Sequence, residues 1–311
     1  NLTNSSMALN AGGNSSLVCI EVDDPTYSSS NWESGTWTYD SDCDNCFESS
    51  NSGQYTLIPD QNFEQALIDL GYDDVIDGQV LTANIDAITS LNVDSKSIAD
   101  LTGIEDFAAL TIFSCGWNQL TSLDVSSNIS LVNLDCHYNT LNNLNVSNNV
   151  NLTDLDCSLN QLSNLDLSSN TSLINLKCHY NSFSSISLST NTSLVELLLQ
   201  YNSLTSIDLS TNTSLNLLDL QNNNLSVVDL SSNTILTEVY LRNNNLSTID
   251  ISSNTSLSVL SCDNNNIDEL DVSSITSLTH LDCRGNNLTT LDINTNPLMG
   301  ALYCSNNQLS C

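Results

Sequence analysis

A spacing of 21 residues between copies of one short phrase constrains the fold of this chain more than any other feature. The phrase Leu-x-x-Leu-x-Cys-x-x-Asn recurs as LVNLDCHYN, LTDLDCSLN and LINLKCHYN. The asparagine that ends each phrase keeps the 21-residue step without an insertion, at Asn118, Asn139, Asn160, Asn181, Asn202, Asn223, Asn244, Asn265, Asn286 and Asn307. One structural unit is therefore repeated along the chain.

The alternation of Leu and Cys with polar residues in each phrase is typical of a short β-strand. A unit of this size cannot build a core alone, so it must bury its apolar residues against its neighbours. We therefore expect strands of successive turns to pair in parallel, about 4.8 Å apart. The asparagine amides are expected to bond the backbone of neighbouring turns. The second half of each unit, as in LxxLDLSSNTS, favours turns because it is rich in Ser and Asn.

The pattern LxxLxCxxNxL resembles the leucine-rich repeat, LxxLxLxxNxL, over roughly residues 85–311. The resemblance implies a mainly β solenoid, either a horseshoe or a straight coil. It would have a parallel β-sheet on one face, an extended or turn-like convex side and a short N-terminal cap helix. The stretch IPDQNFEQALIDLGYDD predicts that helix, with Asp60 as N-cap and Gly71 as the stop. We expect a helical cap over residues 57–84 and about ten repeat turns over residues 85–311.

The first 56 residues differ from the repeats, and LVCIEV within them predicts a strand. The segment CIEVDDPTYSSSNW resembles the one that closes leucine-rich-repeat blocks in large surface proteins of gliding, Bacteroidota-type bacteria. The helical cap resembles the opening of such blocks. Because the closing segment here precedes the repeats, residues 1–22 are expected to end a preceding block, and residues 23–56 to form a linker or cap. Alternatively, residues 1–56 are simply the N-terminal cap of one array.

The cysteines fall into two groups. Seven of the 11 occupy inward positions of the repeat, where free thiols pack as small hydrophobic groups. Those seven are Cys115, Cys136, Cys157, Cys178, Cys262, Cys283 and Cys304. The candidates for a local or linker disulfide are Cys19, Cys43, Cys46 and Cys311.

The charge of the chain excludes several partners. Four Lys and Arg face 36 Asp and Glu, which gives a net charge of -32. Such a surface repels phosphates, so we expect no nucleic-acid partner. No apolar run approaches the roughly 20 residues that span a bilayer, so we expect no membrane insertion.

Calcium is the one candidate cofactor, because Asp40, Asp42 and Asp44 have the alternate spacing of calcium loops, although the Gly and distal Glu of such loops are missing.

A second acidic pattern runs through the repeats, and its carboxylates are expected to accept N–H bonds from the following turn. Calcium shared between turns is the alternative interpretation. The aspartates are Asp124, Asp166, Asp208, Asp229, Asp250, Asp271 and Asp292.

Outward strand positions are the predicted ligand-binding residues, since in leucine-rich-repeat folds they line the concave face. Exposed aromatic rings among polar neighbours suit partner or sugar binding, although they could also merely cover the sheet. The candidates are Trp117, Asp135, His137, Tyr138, Lys177, His179, Tyr180, Tyr201, Arg242 and Arg284.

The functional hypotheses are non-enzymatic, because the sequence has no Gly-rich phosphate loop, nucleophile elbow or metal-binding His pair. Abundant Asn, Ser and Thr with little Lys suit an extracellular or cell-surface protein. The first hypothesis is a structural or adhesive unit that self-associates head to tail in a tandem or filamentous assembly. The second is a discrete recognition module that binds a protein or a carbohydrate on the concave face.

Overall fold

The computed structural model describes residues 54–310 and two short strands before them. The chain forms two units, residues 1–54 and residues 55–311. In the first unit, β1 (Cys19–Glu21) pairs in parallel with β2 (Thr38–Asp40). The strand predicted from LVCIEV is thus confirmed, whereas the subdivision of residues 1–56 stays a prediction.

The second unit begins with a small cap. Strand β3 (Tyr55–Leu57) pairs antiparallel with β4 (Gln79–Leu81), and helix α1 (Gln61–Asp69) lies between them in the chain. The Asp60 carboxylate accepts the N–H groups of Asn62 and Phe63, which confirms it as the N-cap. The helix ends just before Gly71, whose φ of 81° is a left-handed conformation. No helix in the described part of the chain is long and apolar enough to cross a lipid bilayer.

The repeats form one sheet of 11 parallel strands arranged in sequence order. The strands are β5 (Ser90–Asn92), β6 (Ile112–Ser114), β7 (Asn133–Asp135), β8 (Asp154–Asp156), β9 (Asn175–Lys177), β10 (Glu196–Leu198), β11 (Leu217–Asp219), β12 (Glu238–Tyr240), β13 (Val259–Ser261), β14 (His280–Asp282) and β15 (Ala301–Tyr303). Leu134 pairs with Leu155 at the 21-residue step, and only the first pair, Leu91 with Phe113, is 22 apart. The leucine-rich-repeat solenoid predicted from the sequence is confirmed.

One apolar core runs from the cap into the array. Phe63 of α1 stacks on Phe107 of the first turn, with 6.3 Å between ring centroids. The segments that return from strand to strand are bends and turns, as predicted, except for a short 3-10 helix at Ile104–Asp106.

All seven repeat cysteines are free thiols, and only Cys304 is not fully buried. The Sγ atoms of Cys157 and Cys178 lie 3.2 Å apart in the core.

The asparagines that follow the strands bridge successive turns, as predicted. Asn139 shows the pattern: its Nδ2 donates to the carbonyls of Cys115 and Cys136, both at 3.1 Å. Its Oδ1 accepts the N–H of Leu120 at 3.0 Å. We call this set the strand-end asparagine ladder. It satisfies backbone groups that the core would otherwise leave unpaired.

A second ladder lies in the turns and was not predicted. Asn170 is fully buried there, and its Nδ2 donates to the carbonyls of Val146 and Asn149 at 3.0 and 2.9 Å. Ile275 replaces the asparagine in one turn. The members of this turn asparagine ladder are Asn128, Asn149, Asn170, Asn191, Asn212, Asn233, Asn254 and Asn296.

The aspartates in the returning segments hold their turns, which confirms the expectation of local N–H bonding. The Asp208 carboxylate accepts the backbone N–H of Ser210 at 3.0 Å, and its pKa is lowered by hydrogen bonds from the Ser210 hydroxyl and backbone. The same backbone bond forms at Asp124, Asp166, Asp229, Asp250, Asp271 and Asp292.

Candidate functional site

The predicted ligand residues lie on one side of the sheet, which we call the outer sheet face. It comprises the outward side chains of β6–β15 and the residues between each strand and its following asparagine. Asp135 and Lys177 end their strands, whereas His137 and His179 lie two residues further along. Because the strands are in register, equivalent residues of successive turns form columns across this face.

One column has an unusual backbone conformation. Five consecutive members, which follow Ser95, have φ between 52° and 57°, in the left-handed region that disfavours large side chains by about 1–2 kcal/mol. We call them the aromatic column: Trp117, Tyr138, Leu159, Tyr180 and Tyr201. Later turns place Asn222, Asn243, Asn264, Gly285 and Asn306 there, residue types that tolerate this conformation. Large apolar residues thus occupy a strained position in one part of the array only.

The four aromatic rings of this column are presented to solvent. Trp117 is 50% exposed, Tyr138 is 45% exposed, and Tyr180 and Tyr201 are each 44% exposed. Trp117 stacks on Tyr138 with centroids 3.7 Å apart, and Tyr180 stacks on Tyr201 at 4.1 Å. Leu159 separates the two stacked pairs. The rings form an apolar strip along the edge of the sheet where the strands end.

A shallow depression of about 350 Å³ lies across β6–β10 of the outer sheet face. Its polar lining includes Asp135, Asp154, Asp156, Lys177 and Glu196, so its charge is mainly negative. Within residues 54–310, the Lys177 ammonium forms no ion pair. The depression therefore offers several carboxylates and one free cationic group.

The two arginines of the outer sheet face are engaged with neighbours. Arg242 Nε lies 3.2 Å from Asp263 Oδ2. Arg284 Nε donates to Asp282 Oδ1 at 2.9 Å, and its guanidinium lies 5.1 Å from the centroid of the Tyr303 ring. These contacts leave little free positive charge toward the C-terminal strands, away from the aromatic column.

An aspartate–histidine cluster borders both the depression and the aromatic column. His137 Nδ1 lies 2.6 Å from Asp135 Oδ1, which also accepts the backbone N–H of His137. On the next strand, Asp156 Oδ1 accepts the N–H and the hydroxyl of Ser158 at 3.0 and 2.6 Å. Asp135, His137 and Asp156 each contribute one potential ligand atom, and these three atoms lie within 4.8 Å of one another.

His179 continues the histidine column one turn beyond Ser158. Desolvation by burial lowers the pKa of its imidazole, although the Asp156 charge opposes this effect. Its Nδ1 is shielded from solvent and has no hydrogen-bond partner among the described residues. The ring is therefore favoured in its neutral form at neutral pH.

Asp156 and Ser158 are not among the ligand residues predicted from the sequence, although both occupy outward columns. The available signal was the position of Asp156 directly opposite Asp135 in the strand register. Gly116, which precedes Trp117, was also unassigned, and its contact with His137 is seen only in three dimensions.

The predicted calcium and disulfide residues are not tested by the structure. Asp40 lies in β2 and Cys19 in β1, but their side chains are not described. Asp42, Asp44, Cys43, Cys46 and Cys311 lie outside the described residues. These assignments stay predictions.

Comparison with known proteins supports the fold. No family model matches the chain. Internalin J from Listeria monocytogenes serotype 4b (strain F2365) is 38% identical over 74 residues, which are 23% of this chain and 8% of that protein. The functional domain of InlJ from Listeria monocytogenes, which includes a cysteine ladder, is 28% identical with a TM-score of 0.51, over 83% of this chain and 72% of that one.

Two further solved structures have the same architecture. The internalin InlF from Listeria monocytogenes str. 4b F2365 has a TM-score of 0.68 at 21% identity, over 81% of this chain and 84% of that one. The LRIM1/APL1C complex matches with a TM-score of 0.64 at 26% identity, over 73% of this chain and 45% of that one.

Proposed function

We propose that the repeat array is an extracellular or cell-surface binding module that recognises a protein through its outer sheet face. The observation that carries this proposal is the aromatic column. Large side chains at left-handed backbone positions reduce stability, and such strain concentrates at functional sites. Large side chains occupy this left-handed position only in the turns from Trp117 to Tyr201, and four of them are exposed aromatic rings.

A protein is favoured as the partner over a carbohydrate. The outer sheet face combines apolar rings with a mainly acidic depression, which suits a protein surface that carries apolar and basic groups. The similar LRIM1/APL1C structure is itself a complex of two named proteins.

Adhesion outside the cell is the setting that we propose for this binding. The composition favours it, as does the similarity to Listeria internalins. The leucine-rich-repeat fold serves as an interaction scaffold, and we propose no reaction for it. The likeness of residues 1–56 to segments from Bacteroidota-type surface proteins stays a sequence-based prediction.

The test is binding of the full chain to an immobilised panel of extracellular proteins and glycans. Truncating a central interface aromatic costs about 2 kcal/mol or more, which is roughly 30-fold in affinity. Tyr138→Ser with Tyr180→Ser should therefore abolish or weaken the strongest interaction by at least that factor. A matched control is Ile129→Ser with Val150→Ser, which removes exposed apolar residues from the returning segments. Equal binding by both double variants would refute the proposal, and loss of glycan binding alone would reassign the ligand.

Head-to-tail assembly is the second candidate function. In the described part of the chain, β15 pairs with β14 on one side only, Tyr303 at the end of β15 is exposed, and so is Leu298 before it. An open strand edge can pair with another chain. Sedimentation velocity should then show association that increases with concentration and is reduced by Tyr303→Lys. Electron microscopy that shows only dispersed monomers would rule this assembly out.

A further inference from the structure

We propose that Asp135, His137 and Asp156 bind a divalent transition-metal ion of the zinc class on the outer sheet face. One ligand atom from each residue already lies within 4.8 Å of the other two. This site goes beyond the proposed recognition function, since it does not depend on the identity of a partner.

The donor set determines the class of ion. One imidazole nitrogen with carboxylate oxygens is a set that Zn²⁺ and its first-row neighbours accept. Calcium prefers six to eight oxygen ligands, so an imidazole argues against it. Three protein ligands leave a coordination position open for water or for a side chain of a bound partner.

The carboxylates are held in place before any ion arrives. Asp135 and Asp156 are paired residues on adjacent parallel strands. Each uses its Oδ1 atom to accept the backbone N–H two residues further along, at His137 and Ser158. Neither Oδ2 atom accepts a hydrogen bond from the residues that the structure describes. The two oxygens are therefore free to ligate, while their side chains are already ordered.

The histidine ring occupies a space that the sequence leaves for it. A Cβ atom on Gly116 would lie 2.6 Å from both Cε1 and Nδ1 of His137, so only glycine permits this ring position. The Trp117 ring meets His137 edge-on, with centroids 6.0 Å apart. The imidazole is thus confined beside the two carboxylates. The packing of the ring against Gly116 and Trp117 is an observation separate from the presence of the two carboxylates.

His179, in the same column as His137 but outside the proposed ligand set, has an unsatisfied polar atom. Its Nδ1 is buried without a hydrogen-bond partner, which is an unfavourable state for a polar atom. The Asp156 carboxylate is close enough to act electrostatically on this ring.

Isothermal titration of the metal-free full chain with Zn²⁺ tests the site. The wild-type chain should bind one more equivalent of Zn²⁺ than either His137→Ala or Asp156→Asn. Loss of a metal's outer-shell partner already costs 10–100-fold in affinity, so loss of a ligand should cost about 100-fold or more. Asp219→Asn is the matched control, because Asp219 lies in the same column with Gln221 where Asp135 has His137. The amount of zinc bound elsewhere in the chain should be the same in the wild type and in all three variants.

Trp117 provides a second measurement that reports on location. Because its ring contacts His137, Ni²⁺ bound at the site should quench part of the tryptophan fluorescence. Quenching should disappear in His137→Ala and persist in Asp219→Asn, while circular dichroism shows that both variants are folded. Unchanged Zn²⁺ stoichiometry and affinity in both ligand variants would overturn the proposal. The variant Tyr138→Ser with Tyr180→Ser should retain the ion, which separates this test from that of partner recognition.

Discussion

The side-chain amide of Asn170 donates a hydrogen bond of 2.9 Å to the backbone carbonyl of Asn149, one turn earlier in the same buried ladder. It also donates to the carbonyl of Val146 at 3.0 Å, so one fully buried side chain ties a turn to its predecessor. Stability of the array therefore depends on polar contacts between the returning segments as well as on leucine packing.

Asn170→Ala should lower the free energy of unfolding by about 1–3 kcal/mol. The cost stays in this range because each carbonyl also accepts one backbone N–H and keeps that bond. Urea unfolding followed by circular dichroism would measure the change. The control is Asn148→Ala, because Asn148 is exposed, and its removal should alter stability by about 0.5 kcal/mol at most. Equal effects of the two substitutions would show that the turn asparagine ladder is not a stabilising element.

Leu159→Asn should stabilise the protein, although it removes an apolar side chain. Leu159 has a φ of 55°, and Asn occupies the equivalent position at Asn222 and Asn243. Relief of the left-handed strain should raise the free energy of unfolding by roughly 0.5–1 kcal/mol. Leu198→Asn is the control, since Leu198 is a half-buried residue at a regular strand position. If both variants lose stability equally, the left-handed column is not strained.

The returning-segment aspartates should make the array sensitive to acid. Hydrogen bonds from Ser168, Ser210 and Ser231 lower the pKa values of Asp166, Asp208 and Asp229 in the folded chain. The unfolded chain has the ordinary Asp pKa of about 3.9, so it binds more protons than the folded chain near that pH. The stabilisation is complete above the unfolded pKa and is lost as the pH falls through the lower folded values.

Replacing Asp208, Asp229 and Asp250 with Asn should therefore flatten the dependence of stability on pH between about 5 and 2.5. Asparagine keeps the turn, because Asn145 already accepts the N–H of Ser147 at 3.0 Å in the same column. Urea midpoints measured across this range would give the slopes. An identical slope for the wild type and the triple variant would show that these carboxylates do not link protonation to folding.

The repeat period was sufficient to predict the sheet. Because Leu134, Leu155 and Leu176 recur every 21 residues and must all be buried, only one strand register satisfies every turn. The same argument placed the thiols in the core. It also placed the ten predicted ligand residues on a single face, although ligand binding by them stays a prediction.

Features that depend on side-chain packing could not be predicted from the sequence. A Trp at position 117 does not indicate a left-handed backbone, whereas Asn222 and Gly285, at equivalent positions of later turns, are residue types that do. The contact between Gly116 and His137 depends on a rotamer and on the distance between two turns. The turn asparagine ladder was visible as a spacing, but its members looked like ordinary turn residues because Asn is common in exposed turns.

Alkylation of the repeat cysteines should follow their burial. Only the thiolate is reactive, and burial raises the pKa values of the Cys115, Cys136 and Cys262 thiols well above the ordinary value. Burial also raises the pKa of Cys283 to about 12. Cys304 is only half-buried, in the last described turn. Iodoacetamide at mildly alkaline pH should therefore modify Cys304 first among the seven.

Peptide mass spectrometry over a time course would assign each modified cysteine. In denaturant all seven should react at similar rates, which controls for differences in intrinsic reactivity. Modification of Cys136 as rapidly as Cys304 in the native chain would mean that the turns open locally, because a closed core leaves that thiol neither exposed nor ionised. The order of modification thus tests the packing of successive turns without any substitution.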